Sequence, residues 1–251
     1  MTDSTRRFAT RVDNYVKYRP SYPAAILDAL REECGLTPAT VIADIGSGTG
    51  ILSELLLSGG NRVYGVEPNR EMRAAGESLL ADYHAFASVD GTAEATTLPD
   101  GSVDLITAGQ AFHWFNPAPT RAEWRRILRP DGWVSLVWNV RRDDTAFLRD
   151  YEAVLQTYAT DYNEVRHGNV GDEDLAGFYG SGGPALRRLP NRQLFDLEGL
   201  IGRVFSSSYT PEPGHPAYEP LRAALADLFG RHQRDGQVAF EYETRLYFGR
   251  L

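Results

Sequence analysis

Two features in this chain carry residue types and spacings able to do chemistry. The first is the heptad Asp44-Ile45-Gly46-Ser47-Gly48-Thr49-Gly50, and the second is Glu67, twenty-one residues after Gly46. Glycines at alternate positions admit positive φ and let backbone approach a ligand closely, while a helix opening behind them presents unpaired N–H groups. A carboxylate at Glu67 can accept both hydroxyls of an adenosyl ribose, so turn and acid together point to a nucleoside cofactor. The dinucleotide fingerprint G-x-G-x-x-G/A, read from Gly46, needs Gly or Ala at position 51, where this chain has Ile51. A nicotinamide-dependent oxidoreductase is therefore the weaker of the two cofactor readings.

Such a turn acts only if strand and helix hold it. VIADI (41–45) reads as a buried strand before the turn, and ILSELLLSGG behind it as a helix with Leu52, Leu55 and Leu56 on one face. RVYGVE (62–67) is a second strand ending at Glu67. Asn69 then caps a helix whose Met72, Ala75 and Leu79 fall at helical spacing. HAFASVD (84–90), VDLITAG (103–109) and WVSLVW (133–138) continue the alternation, with a helix opened by Asn116 and Pro117 that turns Trp124, Ile127 and Leu128 inward. Upstream, 21–35 is a helix with a glycine cap. Alternating strands and helices predict an α/β fold around a mostly parallel sheet.

Downstream the pattern loosens. A helix is expected near 145–160, a loop at GFYGSGGP (177–184), a strand at 186–197, a helix at 220–232 and a long terminal strand at 238–251. No repeat or linker divides the chain. One domain is expected, with 1–35 as an N-terminal lid, 36–139 as the cofactor core, 140–235 over the acceptor and 236–251 as the terminal strand.

Composition sets limits. The 251 residues carry 26 Lys and Arg against 34 Asp and Glu, a net charge of −8, which disfavours nucleic acid as partner. Lys17 is the one lysine, so a Schiff-base lysine has a single candidate. The single cysteine, Cys34, excludes a disulfide framework and reads as a buried small hydrophobe. The five histidines show no ligand spacing, so no metal is expected. Arg121, Arg125, Arg126 and Arg129 read as a solvated helix face. The N-terminus lacks the apolar stretch of a secretory signal, and the longest apolar runs fall well short of the roughly 20 residues of a membrane span, so a cytoplasmic location is expected.

The turn, with an acid two residues before its first glycine, resembles motif I of the class I S-adenosylmethionine-dependent methyltransferases. DGTAEATTLPDGSVDLI and ILRPDGWVSLVW, with Gly132 at the turn, resemble later segments of the same family. YVKYRPSYP and GQAFHWF resemble small-molecule members related to the trans-aconitate methyltransferases. The resemblance implies a Rossmann-like seven-stranded sheet with an antiparallel C-terminal strand and a helical cap. It implies S-adenosyl-L-methionine as cofactor and a small-molecule acceptor, with no membrane partner and no stated oligomeric state.

By the same resemblance, Asp44, Gly46, Ser47, Gly48 and Gly50 cradle the methionine part. Glu67 and Pro68 face ribose, and Thr92 and Ala93 face adenine, with Thr92 where the family usually has an acid. Tyr15, Tyr18, Arg19 and Tyr22 form the lid, Tyr18 and Arg19 on the cofactor side and Tyr22 on the acceptor side, while Arg19 can pair with the cofactor carboxylate. Gln110 and Ala111 continue the cofactor site after the fourth strand. His113 and Trp114 face the acceptor. His113 is the candidate general base, since its ordinary pKa near 6.5 suits neutral-pH proton removal, while Trp114 also reads as core. A N/D-P-P-Y/F tetrad and a Pro-Cys nucleophile are both missing after strand four, which sets aside amino-group and cytosine-ring methylation of nucleic acid. A catalytically inactive cofactor-binding protein remains the alternative.

Overall fold

A computed structural model describes residues 18–159, 171–180, 182–207 and 209–251. One seven-stranded sheet runs in the order β3-β2-β1-β4-β5-β7-β6. Its strands are β1 (Val41–Ile45), β2 (Arg62–Val66), β3 (Phe86–Val89), β4 (Val103–Gly109), β5 (Leu128–Arg141), β6 (Ala185–Phe195) and β7 (Val238–Gly249). Strands β1 to β5 pair in parallel, and β7 lies antiparallel between β5 and β6. The expected sheet is present.

Strand periodicity sorts side chains onto two faces. Ile42, Val63 and Leu105 pack beneath α1 (Ala25–Cys34) and α2 (Ile51–Ser58). Ala43, Ile45 and Ile106 point the other way, toward α4 (Pro117–Ile127) and α6 (Asp172–Tyr179), where Trp124 is fully buried among Phe112, Phe115 and Phe178. Between these, α3 (Arg70–Leu79) follows β2, capped by the Asn69 side chain, which accepts the Met72 N–H at 2.9 Å. Gly35 ends α1 in the left-handed conformation, as its cap position required.

A third hydrophobic cluster lies beyond β5. There α5 (Ala146–Tyr158), α7 (Leu197–Phe205) and α8 (Tyr218–His232) bury Leu148, Tyr151, Leu155, Leu200, Val204, Leu221, Leu225 and Leu228 against Phe240 and Tyr242 of β7. This is the helical cap. Strand β6, at the sheet edge, completes the sheet from within 140–235, so that segment is more than a cover.

Four expectations need correction. Leu79 is half exposed and Leu80 is buried instead, because α3 ends at Leu79 and the chain turns Leu80 inward against Gly50. The segment expected as a loop at 177–184 begins inside α6, where Phe178 and Tyr179 are buried as a helical pair despite the glycines around them. Cys34 is half-buried rather than enclosed, although its surroundings still push the thiol up to about 12, which leaves it unreactive. Trp114 is 46% exposed and so is not a core residue.

Candidate functional site

The turn after β1 is built as its glycines predict. Gly46, Gly48 and Gly50 have φ of 68°, 58° and 87°, all in the left-handed region. At Gly46 a Cβ would lie 2.7 Å from the Ala111 Cβ and 3.1 Å from the Phe115 ring, so the turn is closed against the segment following β4. The Gly46 and Ser47 N–H groups both donate to the Val66 carbonyl, at 2.8 and 3.2 Å, and fasten the turn to the end of β2.

Glu67 stands where β2 ends. Its Oε2 accepts the Gly48 N–H at 2.9 Å and its Oε1 the Asn69 N–H at 2.8 Å. Burial raises its pKa, and these two backbone bonds oppose the rise. Each carboxylate oxygen keeps a second lone pair for a ligand hydroxyl. Arg73 holds the layer behind, donating to the Glu67 carbonyl at 2.8 Å and gripping Asp90 through both terminal nitrogens. Pro68 is exposed beside it.

Asp44 is fully buried at the end of β1. Its Oδ2 accepts the Ser53 hydroxyl at 2.6 Å, while Oδ1 has no hydrogen-bond partner among the described residues. Burial pushes the acid up to about 7. A second orphan acceptor lies close in the fold: Gln110, held at φ 54° by its N–H bond to the Val137 carbonyl, leaves Oε1 buried and unpaired. A non-glycine residue at positive φ is local strain retained by its surroundings. Two unpaired buried acceptors beside a glycine cradle fit a ligand that brings positive charge and N–H donors, as S-adenosylmethionine does with its ammonium and sulfonium groups.

The other expected residues fall around this centre. Ala93 is buried, and the Thr92 hydroxyl accepts the Ala95 N–H at 3.2 Å in a tight turn after β3. Ala111 is buried against Gly46. The Tyr22 phenol lies over Gly109, where a Cβ would come within 2.5 Å of its oxygen, so the N-terminal segment reaches the end of β4. Asn139 anchors that segment by donating to the Ser21 carbonyl at 3.3 Å, with Asn191 donating to the same carbonyl at 2.8 Å. Tyr18 is instead packed within the cap cluster, its ring against Gly202, and Arg19 accepts at its carbonyl from Gln193. Tyr15 lies outside the described residues.

His113 and Trp114 occupy a single 3₁₀ turn, Phe112–Trp114, their rings 4.8 Å apart and both exposed. Desolvation by the protein packed around the ring disfavours the His113 cation and lowers its pKa to about 4. The imidazole is therefore neutral at pH 7 but weakly basic, which undercuts the general-base role expected from its ordinary pKa.

Ser53, Arg73 and Asn139 belong to the site's support, and no local motif in the sequence marks Arg73 or Asn139. Ser53 carried a faint signal, a lone hydroxyl on the buried side of an apolar helix. Of the arginines expected on one helix face, Arg121, Arg125 and Arg126 lie on α4 and Arg129 lies at the start of β5; Arg126 pairs with Glu123 and Asp100, Arg129 with Asp104, and Arg121 donates to the Phe178 carbonyl. No cluster of three metal-ligating side chains occurs among the described residues, and no helix among them is long and apolar enough to cross a membrane.

Comparison with known proteins converges on one family. A family model for the methyltransferase domain matches residues 43–136. An uncharacterized methyltransferase of Mycobacterium tuberculosis is 36% identical over 155 residues, which are 61% of this chain and 60% of that protein, so the match spans about three fifths of that relative. Among solved structures, a proposed type II methyltransferase of Anaeromyxobacter dehalogenans shares the fold, with a TM-score of 0.66 at 24% identity over 93% of this chain and 98% of that one. An S-adenosylmethionine-dependent methyltransferase of Geobacter sulfurreducens, solved with S-adenosyl-L-homocysteine, aligns over the full length of both chains at 15% identity and a TM-score of 0.50. An uncharacterized methyltransferase-like protein of Schizosaccharomyces pombe is 32% identical over 96% of this chain and 94% of its own length. With a match that runs nearly end to end and a glycine turn and sheet of the expected form, the chain belongs to the class I S-adenosylmethionine-dependent methyltransferases.

Proposed function

We propose that the protein transfers a methyl group from S-adenosylmethionine to a small-molecule acceptor, with Glu67 and the glycine turn as the cofactor cradle. The observation that carries this reading is the bond from the Gly48 N–H to Glu67, which binds the turn and the ribose-facing acid into one unit at the carboxyl ends of β1 and β2, where ligands sit in open α/β sheets. Asp44 and Gln110 take the donors of the methionine end, and Thr92 and Ala93 border adenine. When bound, the cofactor supplies an electrophilic methyl whose in-line displacement discharges its sulfonium.

Positioning by the chain then supplies much of the rate. Tyr22 over Gly109 and the exposed His113–Trp114 pair frame the acceptor's approach, and the neutral imidazole orients it by a hydrogen bond without needing to become a cation. The net charge of −8 and the helical cap over residues 140–235 favour a metabolite over nucleic acid. Incubation with methyl-labelled S-adenosylmethionine and separate metabolite, RNA and protein fractions tests the reading. Label is expected in the metabolite fraction. Label confined to RNA or protein would refute the small-molecule acceptor, and cofactor binding without transfer to any fraction would mark an inactive binder.

A further inference from the structure

We propose that Arg203, together with the Tyr151 hydroxyl, forms a recognition site for a carboxylate on the acceptor, an inference that rests on the small-molecule reading above. Arg203 projects from α7 into the cap and is 6% exposed. A guanidinium cannot shed its charge, and burying it without a counter-ion is costly. Yet no carboxylate lies within ion-pairing reach of Arg203 among the described residues. Its polar neighbours are hydroxyls: Nη1 donates to the Ser207 hydroxyl at 3.2 Å, the Tyr242 phenol is a second hydrogen-bond partner, and Nε is buried with no partner.

The surroundings are phenols rather than acids. Tyr151, Tyr209 and Tyr242 all lie near enough to act on the guanidinium. Tyr151 is fully buried on α5, and its hydroxyl also has no partner. Glu152, the acid next to it, is paired with Arg141, whose guanidinium lies over the Tyr151 ring at 4.7 Å. Two buried donor atoms, the Nε of a permanent cation and the Tyr151 hydroxyl, are thus left without an acceptor in the same cluster, and no acid balances the charge. Natural cores rarely leave such groups unmatched, and a carboxylate would satisfy both.

The location is right for an acceptor. Tyr242 pairs in register with Arg141 at the carboxyl end of β5 and with Asn191 of β6. Its hydroxyl donates to Gln193 Oε1 at 3.2 Å, and Gln193 in turn donates to the Arg19 carbonyl. Gly202, the neighbour of Arg203, packs on the Tyr18 ring. The cluster therefore adjoins the segment Tyr18–Tyr22 that reaches the end of β4. In this role the carboxylate is an anchor, and the methylated atom lies elsewhere on the acceptor.

The test uses the full chain saturated with S-adenosylhomocysteine, with benzoate, its neutral counterpart benzamide, and inorganic phosphate as probes in thermal melting and calorimetry at constant ionic strength. Benzoate is expected to raise the melting temperature and benzamide to leave it unchanged. Arg203→Met is expected to melt no lower than wild type without probe, because an unpaired buried cation is removed, to bind S-adenosylhomocysteine as wild type does, and to weaken benzoate by about thirtyfold. Equal responses to benzoate and benzamide, or a benzoate response that survives Arg203→Met, would overturn the proposal. A response to phosphate alone would overturn the carboxylate assignment. A deep loss of stability in both Arg203→Met and Arg203→Gln would show a structural cation and overturn it as well. Failure of wild type to bind S-adenosylhomocysteine is a separate result, which removes the parent reading itself.

Discussion

The Gly48 N–H donates to Oε2 of Glu67 at 2.9 Å, so the turn after β1 and the acid after β2 hold each other in place. A parallel pairing of β1 with β2, from Val41 opposite Arg62 to Ile45 opposite Val66, brings their carboxyl ends level and makes that bond possible. Cofactor affinity and local stability should therefore be coupled at this point, and the turn's glycines offer a clean way to separate them.

Gly46→Ala should destabilise the protein by about 2–4 kcal/mol and abolish high-affinity cofactor binding, because it combines left-handed strain with a Cβ 2.7 Å from the Ala111 Cβ. Gly101→Ala is the control: its φ is 55° but nothing lies within 4 Å, so it should cost only about 1–2 kcal/mol and leave binding intact. Chemical denaturation and calorimetry of the two variants check the contrast.

Asp44 gives the protein a pH signature. Its folded pKa of about 7 lies above the roughly 3.9 of an unfolded aspartate. Between those values the folded state keeps a proton that the unfolded chain has released, so this group's contribution to stability falls as pH rises from about 4 to 7 and is level above. A cationic ligand favours the ionised acid, so cofactor affinity should rise with pH up to about 7. Asp44→Asn should flatten both dependences, raise stability at pH 8 by about 1–4 kcal/mol and weaken binding. Melting curves and titrations between pH 5 and 8 measure each.

For His113 the expected outcome is a modest one. With its pKa lowered to about 4, the ring should produce no inflection in the methylation rate between pH 6 and 8. His113→Asn should retain kcat within about tenfold, whereas loss of a true general base would cost about a hundredfold or more. Steady-state rates across pH for the variant and wild type decide this.

Trp114, 46% exposed, should act on the acceptor alone. Trp114→Ala is expected to change stability by no more than about 0.5 kcal/mol and to raise the acceptor KM while cofactor affinity stays unchanged. A large loss of stability would show that the ring is structural after all.

The cofactor half of the fold was legible because its signals are local. Positive-φ glycines, a strand-terminal acid and an Asn cap each report a backbone requirement within a few residues, and Gly46, Glu67 and Asn69 all stand as their neighbours imply. What the sequence concealed depends on distant partners. Trp114 resembles a core residue until the 3₁₀ turn places it outward, and Leu79 and Leu80 differ only in which one the end of α3 turns inward. Gly177 and its neighbours read as a loop, yet burial of Phe178 against Trp124 and Phe112 holds them helical. Arg203 sits in a plain amphipathic helix, and nothing in its neighbours shows that the cap would enclose it without an acid.

Calorimetric titration with S-adenosylhomocysteine, on wild type and Glu67→Ala, tests the cofactor cradle most directly. Wild type should bind at one site per chain, and the variant should lose about tenfold to a hundredfold in affinity as the acceptor for the cofactor's hydroxyls disappears. Equal affinity in the two proteins, or no binding by wild type alongside tight binding of a reduced nicotinamide dinucleotide, would contradict the account.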